Sequence, residues 1–239
     1  MYGEDALVVV LSRDYGTEIS NHGVHNILKR AGLLEKRKKR PRIKRQLSDY
    51  PYYSGEVLQL DVKHWRKVGF QYDIIDCRTR IKYKRIYAGY NVNNTVDFLE
   101  KALRFYTPAF PIQLVQMDNG PEFTNERMFS KNQTRPSRQA LPERWLLEHG
   151  IAFRHIPPAS PNLNGRIERP HGVDKWRFRH LENDEHTLEK LREFCLEDCL
   201  DYNTYRPHSM LEDKTPVEFL NSLAGFENAT IDTSVLDVW

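Results

Sequence analysis

Three strand-like runs follow one another between residues 57 and 90, and they limit the folds open to this chain. Val57–Trp65 and Ile81–Tyr90 alternate apolar and polar residues, and Phe70–Cys77 between them is rich in β-forming residues. The connecting loops at Lys67–Gly69 and Arg78–Arg80 are short. Because such loops favour hairpins, the sequence predicts that the three strands are antiparallel.

After residue 90, predicted helices and strands alternate. In chain order these are a helix at Asn94–Tyr106, a strand at Ile112–Met117, a helix at Ala140–His149, a strand at Ile151–Ile156, and helices at Asn164–Leu181 and Thr187–Tyr205. This order predicts an α/β fold with a mixed sheet. The polar stretch between residues 125 and 142 lacks a pattern, and we interpret it as a flexible surface insertion.

Basic residues are concentrated in one short tract before the first strand. Residues 1–48 hold 11 Lys and Arg against 5 Asp and Glu, whereas the remainder of the chain carries a small acidic excess. Eight of the ten residues in the tract are basic: Lys36, Arg37, Lys38, Lys39, Arg40, Arg42, Lys44 and Arg45. Such a tract is typical of contact with nucleic acid, although a solvated linker is the alternative.

The composition excludes several classes of protein. No apolar run approaches the length of a membrane span, and no secretory signal precedes the apolar stretch Ala6–Leu11. Cys77, Cys195 and Cys199 are too few for a disulfide scaffold, so we expect a reducing, cytoplasmic compartment. We expect Cys195 and Cys199 to be core thiols rather than metal ligands.

Two short helices are predicted before the basic tract. Ala6–Arg13 and Gly23–Arg30 have helical apolar spacing, Ser20 or Asn21 can cap the second helix, and Gly32 can end it. Two helices joined by a glycine-containing turn have the outline of a helix-turn-helix, and any small helical hairpin has the same outline.

Three acidic residues lie where a metal site could form. Asp61 lies inside the first strand, Asp118 ends the fourth, and Glu168 lies one turn into the helix that follows residue 164. If they converge, their oxygens suit two divalent cations that activate water and phosphate. Each also has an ordinary interpretation: a buried salt bridge for Asp61, a turn for Asp118 and a helix-dipole partner for Glu168.

Several motifs resemble the retroviral-integrase superfamily, in particular the DDE transposases of bacterial insertion sequences. The motifs are Leu60–Lys63, Gln116–Phe123 and Ser160–Arg169, followed by Tyr202–His208 and Thr215–Phe219. The resemblance implies an RNase H-like fold with a five-stranded mixed sheet, catalytic and metal-binding roles for Asp61, Asp118 and Glu168, and two Mg²⁺ or Mn²⁺ ions. One departure is the separation of Asp118 from Glu168, with 49 residues between them against about 35 in the family.

The resemblance also implies a domain plan. It comprises a helix-turn-helix-like segment at 1–34, which is short for the family and therefore expected to be incomplete, a basic linker at 35–55, a catalytic core at 56–220 and a C-terminal tail at 221–239.

The function implied is that of an insertion-sequence transposase in a prokaryotic cell. Such an enzyme cleaves double-stranded DNA at the element ends and transfers a strand into target DNA, and we expect a homo-oligomer. Asn119, Gly120, Asn164 and Gly165 would shape the site, while Arg166, Arg169 and Lys175 would meet DNA phosphates or remain solvated. A hydrolytic RNase H-like nuclease and a catalytically inactive DNA-binding remnant are the alternatives.

Overall fold

A five-stranded mixed sheet forms the centre of the protein, as the sequence predicts. The computed structural model describes residues 2–34, 51–65, 68–124, 139–157, 163, 165–177 and 187–236, with the backbone alone at 168–170 and 175–177. The strands are β1 (Leu58–Trp65), β2 (Gly69–Asp76), β3 (Lys82–Tyr87), β4 (Leu114–Met117) and β5 (Ala152–His155). The helices are α1 (Glu4–Tyr15), α2 (Asn21–Arg30), α3 (Val92–Tyr106), α4 (Leu141–Glu148), α5 (Gly165–Arg177), α6 (Leu188–Thr204) and α7 (Pro216–Asn221).

The strand order is β3-β2-β1-β4-β5. The first three strands form the antiparallel meander that their short loops favour, whereas β4 and β5 add in parallel beyond β1. Each parallel addition follows a helix, because a chain returning in the same direction needs a long crossover. The carboxyl ends of β1, β4 and β5 therefore lie at the same edge of the sheet.

One face of the sheet packs on α3 and forms the hydrophobic core. Asn91 caps α3 by accepting hydrogen bonds from two backbone N–H groups, which starts the helix two residues before the predicted position. The core contains side chains from β1 to β4 and from α3, among them Leu58, Leu60, Tyr72, Tyr83, Phe98, Phe105 and Met117. Burial of these large side chains is the main force that fixes the sheet against α3.

The other face carries polar residues that α5 and α6 cover. Successive residues of a strand point to opposite faces, so the core positions of β1 alternate with Gln59, Asp61 and Lys63. α6 packs on β3, and α5 packs on β1 and β2. Cys195 and Cys199 are buried on α6, and all three cysteines are unpaired, in agreement with their prediction as core thiols.

The N-terminal hairpin has the two helices that the sequence predicts. The Ser20 side chain caps α2 by accepting a hydrogen bond from the Gly23 backbone N–H at 3.2 Å. The hairpin contacts the end of α6, where Tyr2 donates a hydrogen bond to Asp201 at 2.5 Å and the Arg13 guanidinium lies 4.3 Å from the centre of the Tyr205 ring. A role for this hairpin in reading DNA stays a prediction.

The C-terminal segment packs onto the core rather than extending from it. Val235 and Leu236 are buried, and the backbone N–H of Asp232 donates a hydrogen bond to the Phe105 carbonyl at 3.0 Å. The basic tract at 36–45 and most of the polar stretch, residues 125–138, lie outside the described residues. Among the helices that the structure describes, none is long and apolar enough to span a membrane.

Candidate active site

Asp61 lies in the middle of β1 on the face that α5 covers. Its Oδ1 accepts a hydrogen bond from the Val62 backbone N–H at 2.9 Å, and its side chain is 19% exposed. The cost of placing a carboxylate in a central strand is therefore reduced by partial access to solvent and by its polar neighbours.

Asp118 follows β4 directly and is fixed by the turn after it. Its Oδ1 accepts a hydrogen bond from the Gly120 backbone N–H at 2.8 Å, the local bond typical of an Asp before a turn. The Asn119 side chain donates to the Ile156 carbonyl at 2.7 Å and so joins this turn to the chain after β5. That Asn119 and Gly120 shape the site stays a prediction.

The register of the parallel strands β1 and β4 sets Asp61 level with Asp118, the residue after β4. Gln59 of β1 is opposite Gln116 of β4. Two residues further along both strands, the same register brings Asp61 level with Asp118. Since neighbouring strands lie about 4.8 Å apart, we expect carboxylates at these two positions to be able to share a cation.

A histidine on α5 joins Asp61 to a second buried carboxylate. His171 Nδ1 lies 3.2 Å from Asp61 Oδ2, and its Nε2 lies 2.5 Å from Asp73 Oδ2. Asp73 is opposite Asp61 in the β1–β2 pairing. Burial works to lower the pKa of His171, but the two carboxylates outweigh it and raise that pKa to about 9.

A buried ionic network continues from Asp73 beneath α5 and α6. The Gln71 amide donates hydrogen bonds to Asp73 at 2.7 Å and to Asp174 at 2.9 Å. Lys84, which is opposite Asp73 on β3, forms ion pairs with Asp174 at 3.1 Å and with Asp198. Burial acts to raise the pKa of Asp73, yet His171 and the nearby lysines hold it below its ordinary value.

A second histidine fixes the backbone at Asp118. His155 Nδ1 lies 2.9 Å from the Asp118 carbonyl oxygen, and its Nε2 lies 2.8 Å from Glu143 Oε1. Glu143 is buried at the start of α4, where its side chain also accepts a hydrogen bond from the Ala140 backbone N–H. The strand end that carries Asp118 is therefore tied to both β5 and α4.

The third predicted acid lies on the helix that crosses Asp61. Glu168 belongs to α5, one turn before His171, and its side chain is among those the structure does not describe. Gly165 is the first residue of α5, and its role in shaping the site stays a prediction. The side chains of Arg169 and Lys175, together with Asn164, also lie outside the described residues.

The Arg166 side chain packs in part against the protein. It is half-buried and lies near the thiol of Cys77. Burial raises the pKa of that thiol to about 11, and Arg166 opposes the rise. Contact with DNA phosphates stays a prediction for this residue.

Sequence reasoning did not identify His171, Asp73 or His155. One available indication was the spacing of His171 from Glu168, since residues three apart share a helix face. Within the described residues, no cluster of three or more His, Cys, Asp or Glu side chains forms a metal site. The oxygens of Asp61 and Asp118 are nevertheless hard donors of the kind that Mg²⁺ prefers.

Comparison with known proteins confirms the resemblance drawn from the sequence. Residues 149–216 match the integrase core domain family. The chain is 29% identical over 229 residues to ORF3 of Spiroplasma virus SpV1-C74, a protein described as an integrase; the match covers 88% of this chain and 62% of that protein. It is 25% identical to a protein of insertion element IS407 from Burkholderia multivorans, over 91% of this chain and 75% of the relative.

Solved structures show the same fold. A chain of the simian T-cell lymphotropic virus intasome matches with a TM-score of 0.58 at 14% identity, covering 93% of this chain and 72% of that one. The HTLV-2 integrase catalytic core domain in complex with magnesium matches with a TM-score of 0.50 at 14% identity, covering 70% of this chain and 97% of the other. Residues 149–216 are thus similar to the integrase core domain family, and the five-stranded sheet with its flanking helices has the RNase H-like fold of the retroviral integrase cores.

Proposed function

We propose that this protein is an insertion-sequence transposase that cleaves DNA at the element ends and joins the freed strand to target DNA. Asp61, Asp118 and Glu168 would form the catalytic acid triad. The observation that carries the proposal is the parallel pairing of β1 and β4, whose register, continued two residues beyond Gln59 and Gln116, sets Asp61 level with Asp118. A helix bearing Glu168 crosses the same face and contacts Asp61 through His171.

The three acids would hold divalent cations. The donor set fits, because carboxylate oxygens on neighbouring strands are ligands that Mg²⁺ favours. The similar HTLV-2 core was solved in complex with magnesium, which supports this choice of ion. When bound, two such cations supply Lewis-acid activation at a phosphodiester; whether one or two bind here is part of the proposal.

The protein's own residues would position the reacting groups. Asp61 and Asp118 each accept a backbone hydrogen bond, at 2.9 and 2.8 Å, which limits the orientations of the two carboxylates. Water would attack the phosphodiester at the element end, and the released 3′-hydroxyl would then attack target DNA. Neither step needs a covalent protein–DNA intermediate, so no Ser, Tyr or Cys nucleophile is required.

Double-stranded DNA would be the partner, and the active complex would be a homo-oligomer. Two element ends must be cut together, so two active sites are needed. The relative in an intasome supports such an assembly. The basic tract from Lys36 to Arg45 precedes the core and would hold the DNA backbone through phosphate contacts.

Strand transfer on labelled DNA tests the proposal. The substrate is a duplex taken from the DNA flanking the reading frame, incubated with the protein and Mg²⁺ or Mn²⁺. We expect longer labelled products with the wild type, and at least a 100-fold loss with Asp61→Asn, Asp118→Asn or Glu168→Gln. Glu148→Gln is the matched control, since Glu148 is exposed at the end of α4, and it should retain activity.

Each alternative function has its own result in this assay. Metal-dependent nicking without joined products would indicate a hydrolytic nuclease. DNA binding with neither nicking nor joining would indicate an inactive remnant. Substantial strand transfer by any one of the three acid variants would disprove the triad.

A further inference from the structure

The turn at residues 51–56, which precedes β1, presents two tyrosine side chains to solvent, and we call it the tyrosine turn. Tyr52 is 83% exposed and Tyr53 is 70% exposed. A tyrosine gains a large contact area on binding and loses little side-chain entropy. Two adjacent tyrosines that the fold leaves exposed are therefore typical of a binding surface.

The backbone beneath the two rings is fixed to the core. The Glu56 carboxylate accepts hydrogen bonds from the backbone N–H groups of Tyr52 at 2.7 Å and Tyr53 at 3.1 Å. The backbone N–H of Gly55, which is buried, donates to the Asp76 carboxylate at 3.0 Å. Since this backbone is already ordered, a partner that binds the rings has little further ordering to impose on it.

Positive charge lies at the same end of the sheet. The Cys77 backbone N–H donates to the Val57 carbonyl at 2.9 Å, which joins the tyrosine turn to the loop between β2 and β3. Arg78 and Arg80 belong to that loop, and Arg166 lies near the Cys77 thiol. All three arginines are half-buried rather than fully enclosed. The charge of this end therefore favours an anionic partner.

The acidic groups next to the rings are engaged within the protein. Asp76 is buried, and its carboxylate also accepts hydrogen bonds from the backbone N–H and the hydroxyl of Thr79, both at 2.7 Å. The Glu56 carboxylate binds the backbone of the turn itself. The remaining surface combines aromatic rings with arginines, a combination typical of contact with nucleic acid.

The place of the tyrosine turn in the chain also fits DNA. Tyr52 follows Arg45, the end of the basic tract, by seven residues, so the two are at most about 25 Å apart. Five residues separate Glu56 from Asp61, a distance of about 17 Å in extended chain. Phosphates of one DNA strand are about 3.4 Å apart, so the turn lies about five base pairs from the candidate acids.

We propose that Tyr52 and Tyr53 bind the backbone of double-stranded DNA about five base pairs from the phosphodiester at the candidate acids. Their hydroxyls donate hydrogen bonds to phosphates, and their rings pack against the adjoining deoxyriboses. The inference rests on the proposed function, which supplies DNA as the partner. The contact is uncharged and does not read base edges, so it adds affinity for any duplex and fixes the direction in which the duplex leaves the acids.

Binding measured against salt concentration tests the contribution to affinity. Kd for a dye-labelled duplex from the DNA flanking the reading frame is measured by anisotropy, without divalent metal so that nothing is cleaved. Tyr52→Ser combined with Tyr53→Ser should raise Kd about tenfold at every salt concentration. The slope of log Kd against log salt concentration should not change, because an uncharged side chain releases no counterions.

Hydroxyl-radical footprinting on the same duplex locates the contact. The wild type should protect deoxyriboses about five base pairs from the cleaved position, and the double variant should lose that protection alone. Leu147→Ser is the matched control, since Leu147 is exposed on α4, and it should change neither Kd nor the footprint. Urea unfolding should be the same for all three proteins, because the bonds of Glu56 to the turn involve only backbone N–H groups.

Other results overturn the inference in distinguishable ways. An unchanged Kd and footprint in the double variant would show that the tyrosines do not bind DNA, and the proposed transposase function would stand. If Kd is unchanged but sedimentation shows that the double variant has lost a dimer present in the wild type, the tyrosines join two copies of the chain instead. Absence of DNA binding by the wild type would overturn both this inference and the proposed function.

Discussion

Asp61 and Asp73 face each other across the β1–β2 pairing, and His171 contacts both carboxylates at 3.2 and 2.5 Å. Like charges directly opposite each other on paired strands repel. The histidine, held between them by α5, is the local counterion. The helix that carries Glu168 is thus bound electrostatically to the strand that carries Asp61.

A double-mutant cycle tests this contact. His171→Ala leaves two carboxylates facing each other and should destabilise the fold by about 3 kcal/mol. In the Asp73→Asn background only the negative charge of Asp61 remains beside the histidine, so His171→Ala should cost roughly 1–2 kcal/mol less. Urea unfolding of the four proteins measures the coupling. Additive effects would show that His171 does not act between the two acids.

The pH dependence of stability should carry a contribution from His208. Burial lowers its pKa to about 4 from an ordinary 6.5, despite the contact of its Nε2 with the Tyr202 carbonyl at 3.1 Å. Between these values the unfolded chain binds a proton that the folded chain rejects. The contribution of the neutral His208 side chain to the free energy of unfolding is therefore fully present above pH 6.5 and is lost as the pH falls toward 4.

Replacement of His208 isolates that contribution. His208→Gln keeps an N–H donor for the Tyr202 carbonyl but cannot take up a proton. From pH 6.5 to 4 the wild type should lose about 2 kcal/mol more unfolding free energy than the variant, given about 1.4 kcal/mol for each unit of pKa shift. Parallel stability curves for the two proteins would refute this assignment.

Gly55 should be far less replaceable than Gly150, although both adopt positive φ angles of +80° and +70°. A Cβ on Gly55 would lie 2.0 Å from the Pro111 carbonyl oxygen, whereas one on Gly150 would meet nothing within 4 Å. Gly150→Ala should cost about 1–2 kcal/mol for the left-handed backbone alone. Gly55→Ala should cost at least about 2 kcal/mol more by urea unfolding, and equal costs would contradict the close approach.

The basic tract from Lys36 to Arg45 should govern the salt dependence of DNA binding. Eight basic residues can account for a slope of at most about 7 in log Kd against log salt concentration. Their replacement by glutamine should flatten this slope and weaken end and scrambled duplexes equally, because phosphates carry no sequence information. An unchanged slope would make the tract a linker, and a selective loss of end preference would mean that it reads sequence or groove shape.

The sheet and the positions of the acids could be predicted because they depend on local patterns. Short loops between β-rich runs favour the meander, and Asp118 before an Asn-Gly turn marks a strand end. Element ends were less predictable: α3 begins at Val92 rather than Asn94 because the Asn91 side chain caps it.

The buried ionic network could not be predicted in the same way. Asp73 and Lys84 occupy alternate positions on their strands, a pattern equally typical of a solvated sheet face. Only the packing of α5 and α6 over that face buries these charges and pairs Lys84 with Asp174 and Asp198. Which helix covers which face is a property of tertiary structure, not of residue spacing.

Binding of Mn²⁺ tests the central claim, that Asp61 and Asp118 share a metal site with Glu168. In a titration followed by NMR, paramagnetic Mn²⁺ should broaden the ring signals of His171 and His155, which contact the two aspartates. Asp61→Asn, Asp118→Asn and Glu168→Gln should each raise at least tenfold the Mn²⁺ concentration that produces the same broadening. Glu148→Gln should leave that concentration unchanged. Equal broadening in wild type and the three acid variants would contradict the account.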